Sequence, residues 1–201
     1  MHIPKLYREE DRVEALEFLK RNGFPALVSF DGEALVATHI PVETLENEDG
    51  SLTILGHMSR ANPQWKSFGE REVLLIFQGA HTYISPRWYN HVNVPTWNYM
   101  IVHVYGRVRM LEGADLQNLL SRLVCLHEPG TGYSLEGLPA NFVEKEMKGT
   151  VGFAVDVTRM DAAYKLSQNR DDESYANIVR ELEKRGDDAS AEVAGEMKKR
   201  R

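Results

Sequence analysis

The sequence predicts an antiparallel β-barrel with helices at its periphery, mainly β within the α+β class. Two observations carry this. Strand candidates fall in pairs joined by tight turns such as Asp31-Gly32, and Asp-Gly between β-rich runs is a strong hairpin signal. About seven strands are legible by this pattern, and they do not alternate regularly with helices, which argues against a doubly wound parallel sheet.

Taken in order, Glu9–Asn22 reads as a helix. Val13, Leu16 and Leu19 share one face, acidic residues lead it, and Asn22-Gly23 suits its stop. Phe24–Phe30 and Ala34–Val42 form a hairpin about Asp31-Gly32, and Asp49-Gly50 introduces Ser51–Met58. Glu72–Gln78 is a short apolar strand, with Gly79-Ala80 as a turn into a partner, His81–Ser85. Pro86–Asn98 is read as a long irregular connection, rich in Trp88, Tyr89, His91 and Trp97, and a connection of that kind suits binding or subunit contact. Tyr99–Leu111 resumes alternation, with Met100, Val102 and Val104 on one face and His103, Tyr105 and Arg107 on the other. Ala114–His127 and Pro139–Lys148 are helices. Thr150–Met160 is a strand, and Tyr175, Ile178, Val179 and Leu182 mark a last helix closed by Gly186. Residues 1–185 are expected to form the domain, and residues 186–201 a charged, solvated tail.

The chain has 201 residues, of which 42% are hydrophobic and 27% charged, the profile of an ordinary globular domain. Its single cysteine excludes an internal disulfide framework and a cysteine-cluster metal site; Cys125 reads as a small buried hydrophobe. No apolar run approaches a membrane span, and Met1-His2-Ile3-Pro4-Lys5 carries no apolar signal core, so a cytoplasmic location is expected. The net charge of −6 disfavours a broad DNA-gripping surface, leaving only a local basic patch for such contact. Seven histidines invite a metal, but no spacing matches a metal motif, and none is assigned.

The chemistry concentrates in Gly56-His57-Met58-Ser59-Arg60-Ala61-Asn62-Pro63-Gln64-Trp65. A strand ends, a polar turn follows, and Asn62-Pro63 starts a helix. Such a turn gathers a hydroxyl, a guanidinium and backbone amides, the donors a dianionic phosphate needs. The alternative is a capped surface helix with Arg60 in solvent. Thr38 and His39 are placed mid-strand before Pro41, either facing water at a sheet edge or lining a polar ligand. Lys165-Leu166-Ser167-Gln168-Asn169 concentrates donors after a strand; the alternative is a capping loop, with Asn169 or Asp172 as the cap.

These motifs, with Phe77-Gln78-Gly79-Ala80-His81-Thr82-Tyr83-Ile84-Ser85-Pro86, Val94-Pro95-Thr96-Trp97-Asn98-Tyr99 and Val102-His103-Val104-Tyr105-Gly106, resemble the PaiB family of FMN-binding negative transcriptional regulators. The resemblance runs from about Tyr7 to about Glu183, and the tail ending Lys198-Lys199-Arg200-Arg201 departs from it. It implies an FMN-binding split β-barrel of the kind shared with pyridoxamine-phosphate oxidases and flavin reductases, usually a homodimer with FMN at the interface. It implies that Ser59 and Arg60, with Asn62, hold the FMN phosphate, and that Thr38, His39 and His57 lie along the ribityl chain and ring. Trp97, Asn98, Tyr99 and His103 would come from the interface, and Lys165 and Gln168 from the C-terminal side over the flavin. The regulator role implies repression of sporulation and protease genes and raises DNA as a partner, although no helix-turn-helix is visible. An FMN-dependent oxidoreductase is the alternative. A haem-handling protein of the same fold is a third reading, with His81, His91 or His103 as ligand.

Overall fold

The computed structural model describes residues 1–69 and 71–201. Seven strands form one sheet: β1 (Ala26–Phe30), β2 (Leu35–His39), β3 (Val42–Glu46), β4 (Leu52–Ser59), β5 (Val73–Ile84), β6 (Thr96–Leu111) and β7 (Thr150–Lys165). Their order is β2-β1-β5-β6-β7-β4-β3. The pairs β1–β2, β1–β5, β3–β4 and β4–β7 are antiparallel. The α-helices are α1 (Arg12–Arg21), α2 (Gly113–His127), α3 (Ala140–Lys148), α4 (Asp172–Arg185) and α5 (Asp188–Lys199). The chain divides into two compact units, one of residues 1–18, 78–102 and 161–201, the other of residues 19–77 and 103–160.

In the second unit both Asp-Gly turns close hairpins. Asp31 Oδ1 accepts from the Glu33 and Ala34 amides, and Gly50 takes the positive φ between β3 and β4, a backbone region glycine enters at little cost. Alternation buries Leu27, Ile54, Leu75, Phe77 and Phe153. Against this sheet, Leu116, Leu119 and Leu123 of α2 pack on Leu111 and Ala154. Cys125 lies beyond that buried stripe and is exposed, which corrects its reading as a buried residue: two residues past Leu123, a helix has turned to its other side. Thr38 and His39 close β2 rather than sit within a longer strand, and after Pro41 the chain enters β3.

In the first unit the expected turn at Gly79-Ala80 is absent, and the two short strands predicted on either side are the single strand β5. Gly79 is there for space: a Cβ would stand 2.6 Å from the Phe18 ring. The aromatic connection is also shorter than predicted, because β6 begins at Thr96 and takes in Trp97 and Asn98. The residues read as a solvated tail are likewise ordered. Asp187 caps α5 by accepting from the Ser190 amide, and Val193, Ala194 and Met197 are buried. The four basic residues at its end meet carboxylates: Lys198 on Glu183, Lys199 on Glu196, Arg200 on Glu9 and Glu196, and Arg201 on Asp172. Charge dominated the composition and hid a narrow apolar stripe.

Candidate functional site

Ser59 ends β4, and the chain turns through Arg60 and Ala61 to Asn62 and the 3-10 turn Pro63–Ser67. The segment is a five-residue 3-10 turn, not the expected α-helix. The expected free amides are spent: Arg60 N–H donates to Gly149 O, Asn62 N–H to Ser59 O and Gln64 N–H to Asn62 Oδ1. Side chains are therefore the donors this turn offers. Ser59 Oγ accepts from the Ala61 amide at 3.3 Å, which leaves its own hydrogen to give. Arg60 is aimed by two carbonyls, with Nε on Lys148 O at 2.9 Å and Nη2 on Thr150 O at 3.0 Å. Its Nη1 has no bond among the described residues. Its guanidinium lies 5.7 Å from the centre of the Trp65 ring, and the indole N–H donates to Arg60 O. A fixed guanidinium and a free hydroxyl hydrogen on one turn suit a dianionic phosphate.

Asn62 ties this turn to β2 through a 2.9 Å bond from Nδ2 to Thr38 Oγ1. His39 is exposed and stacks on Phe24. His57, on β4, is partly buried; its Nδ1 is enclosed with no hydrogen-bond partner among the described residues, and burial holds its pKa below the ordinary histidine value. His103, on β6, meets Tyr105 edge to face. Gln64 was not foreseen as a site residue. It is buried, and its Nε2 reaches Leu27 O, Ser29 Oγ and Val36 O, fixing the turn to β1 and β2. Nothing in one sequence distinguishes such a glutamine from a surface one.

The remaining predicted residues belong to the first unit. Trp97 is 51% exposed, with His81 and Tyr83 against its ring. With Tyr99, Gln78 and His81 it lines a cavity of about 400 Å³. Asn98 is fully buried, accepting from Ser167 Oγ at 3.0 Å and directing Nδ2 to the Met197 sulfur. Its polar atoms are thereby occupied inside the protein. Lys165 donates to Thr96 Oγ1 and lies over the Tyr7 ring; burial, then the Arg170 charge, lowers its pKa. Gln168 turns inward, accepting from the Leu166 amide and donating to Tyr164 O. The α4 cap is Asp171, whose carboxylate accepts from the Ser174 amide, and not Asn169 or Asp172. Among the described residues no group of three histidine, cysteine or acidic side chains could hold a metal.

Residues 1–159 match the family described as "Putative FMN-binding domain". The chain belongs to this family. FMN is the cofactor that defines it. The chain is similar to "Protease synthase and sporulation protein PAI 2" of Bacillus subtilis (strain 168), 39% identical over 186 residues, covering 91% of this chain and 89% of that one. Among solved structures, the flavocytochrome Anf3 of Azotobacter vinelandii superposes with a TM-score of 0.67 at 15% identity, over 87% of this chain and 78% of that one. The FAD and heme binding protein of Mycobacterium smegmatis superposes at 0.65 and 13% identity, over 85% and 79%. These likenesses concern the fold, and the fold is the FMN-binding split barrel that the sequence predicts. Among the described residues no helix is long and apolar enough to cross a membrane.

Proposed function

We propose that this protein is a homodimeric, cytoplasmic FMN-binding regulator of the PaiB type that lowers expression of sporulation and protease genes. The observation that carries the reading is its 39% identity, across nearly the whole of both chains, to the PAI 2 protein. Ser59 and Arg60 hold the FMN phosphate in this reading, with Asn62 ordering the turn. Thr38, His39 and His57 follow the ribityl chain and ring. Trp97, Tyr99 and His103 come from the subunit interface in this reading and Lys165 from the C-terminal side, while Asn98 and Gln168, whose polar atoms are bonded within the protein, support their own segments. FMN supplies redox chemistry when bound, and the protein orients it and sets its electrostatics. The exposure of the large apolar side chains Val92, Val94 and Trp97 supports a dimer, in which such surface leaves water. Regulation does not require DNA contact by the basic C-terminus, because each of its four cations is paired with a carboxylate.

The second reading is an FMN-dependent oxidoreductase, favoured by the aromatic cavity beside Trp97 and His81, which has room for a substrate next to a flat ring. One assay separates the two: reduce the FMN-loaded protein anaerobically with NADH or NADPH, offer acceptors, and in parallel measure binding to a promoter fragment or partner repressor. Promoter or repressor binding that depends on flavin redox state is expected. Rapid turnover with no such binding overturns the regulator reading in favour of the enzyme.

A further inference from the structure

A cavity of about 570 Å³ is walled by the turn Pro86–Trp88 and by α4, within the first unit. It shares no residue with the turn at Ser59 and Arg60 or with the cavity beside Trp97. Its size lies in the range of small-molecule sites, roughly 300–1,000 Å³. Arg87 and Arg180 are among the residues that line it, with Glu181, Asn177, Ser85 and Trp88.

The state of these charges sets this cavity apart. Elsewhere in the same unit Arg200 is committed to Glu9 and Arg201 to Asp172. Arg87 is exposed, and its side chain has no hydrogen bond or ion pair among the described residues. Arg180 gives Nη2 to Asn177 Oδ1 at 2.7 Å, while its Nε stands 3.8 Å from Glu181. That carboxylate is already held by Lys184 at 2.7 Å. Arg185 lies over the Trp88 ring at 5.1 Å, adding a further positive charge. In a protein of net charge −6, a concave, locally positive wall concentrates anions.

The groups present select among anions. Two guanidinium groups among the lining residues suit a dianionic phosphate. Trp88 brings to the lining an aromatic ring, one face of which already carries Arg185, to meet a heterocycle. Glu181 and Asn177 supply an acceptor and an amide of the kind that hydrogen-bond sugar hydroxyls. A free inorganic ion would leave the indole and the carboxylate without a role. We propose that this cavity is a second ligand site, which takes a nucleoside monophosphate other than FMN and is separate from the flavin site. A regulator so equipped senses a nucleotide alongside its flavin.

The test is calorimetric titration of the FMN-saturated protein with AMP, GMP, CMP and UMP, while the flavin absorbance is followed. At least one nucleotide is expected to bind saturably without releasing FMN. The matching nucleoside, lacking the phosphate, should bind at least about tenfold more weakly, as expected for lost charge-assisted hydrogen bonds. Arg87→Ala with Arg180→Ala should weaken the nucleotide roughly 10- to 150-fold. Arg87→Glu alone, a substitution at an exposed position, should weaken it as well. Arg60→Ala should leave nucleotide binding unchanged. The proposal fails if no nucleotide gives a saturable signal at millimolar concentration, if the nucleotide displaces FMN, or if the Arg87 variants bind it as tightly as the parent.

Discussion

Two turns follow long strands and carry dense hydrogen-bond donors, yet they use them in opposite ways. After β4, the turn from Ser59 to Ser67 satisfies its backbone internally and holds Arg60 out, its guanidinium steadied by Lys148 O and Thr150 O. After β7, the turn from Leu166 to Asp171 folds its donors in. Gln168 bonds to its own strand end, and Ser167, at φ 61°, buries its hydroxyl against Asn98. The first turn presents its side chains outward and the second closes a core. A run of polar residues after a strand therefore signals a turn, while the direction its side chains face is decided by what packs behind it.

The contrast can be broken most severely at the residue behind the open turn. Gln64→Leu should remove the three contacts to Leu27 O, Ser29 Oγ and Val36 O; Ser29 Oγ keeps Ser67, and loss of the side-chain donor to the two carbonyls should cost about 3 kcal/mol. Urea unfolding should show a lower midpoint with an unchanged slope. Arg60→Ala acts on the ligand instead. FMN affinity should fall by about 1.5–3 kcal/mol, roughly 10- to 150-fold, with riboflavin binding and stability nearly unchanged. Equal loss of riboflavin would place Arg60 in the fold rather than at the phosphate.

The closed turn should answer more mildly and only in stability. Ser167→Ala gives up one buried hydrogen bond, worth about 1 kcal/mol. Ser167→Gly gives up the same bond but relieves a left-handed backbone that costs a non-glycine residue about 1–2 kcal/mol. The glycine variant should therefore unfold later than the alanine variant, and the reverse order would remove the backbone from the explanation.

The smallest effect sits beside the open turn and depends on pH. Burial depresses the His57 pKa in the folded state, so the unfolded chain takes up that proton first. Stability is then complete above the ordinary histidine value of about 6.5 and declines as pH falls through it. Replacing His57 by Gln should flatten that decline, as measured by urea midpoints between about pH 7.5 and 5.5.

Much of the sheet was legible because alternation and Asp-Gly turns are local signals. The count of seven agrees through two offsetting differences: the sequence pattern divides β5 at Gly79 and passes over β3, which follows closely on Pro41. Gly79 misled because a glycine that makes room for Phe18 looks the same as a glycine that makes a turn. The turn after Ser59 is legible because hydroxyl, guanidinium and Asn-Pro fall together in sequence, although it leads into a 3-10 turn rather than a helix. Gln64, Asn98 and the packed face of α5 were not found as such, since their roles depend on residues brought from far along the chain, such as Val36, Ser167 and Tyr175.

Cys125 has a practical consequence. It is the sequence's one cysteine, and it stands exposed on α2 while Leu116, Leu119 and Leu123 carry the packing of that helix. A thiol-directed spin label attached to the native chain therefore marks a single defined point without disturbing the core. If two chains associate, the labelled pair carries one separation, and adding FMN either preserves or changes it. The partnership between subunits and its response to flavin thus become a single distance, read by dipolar spectroscopy on an unmutated protein.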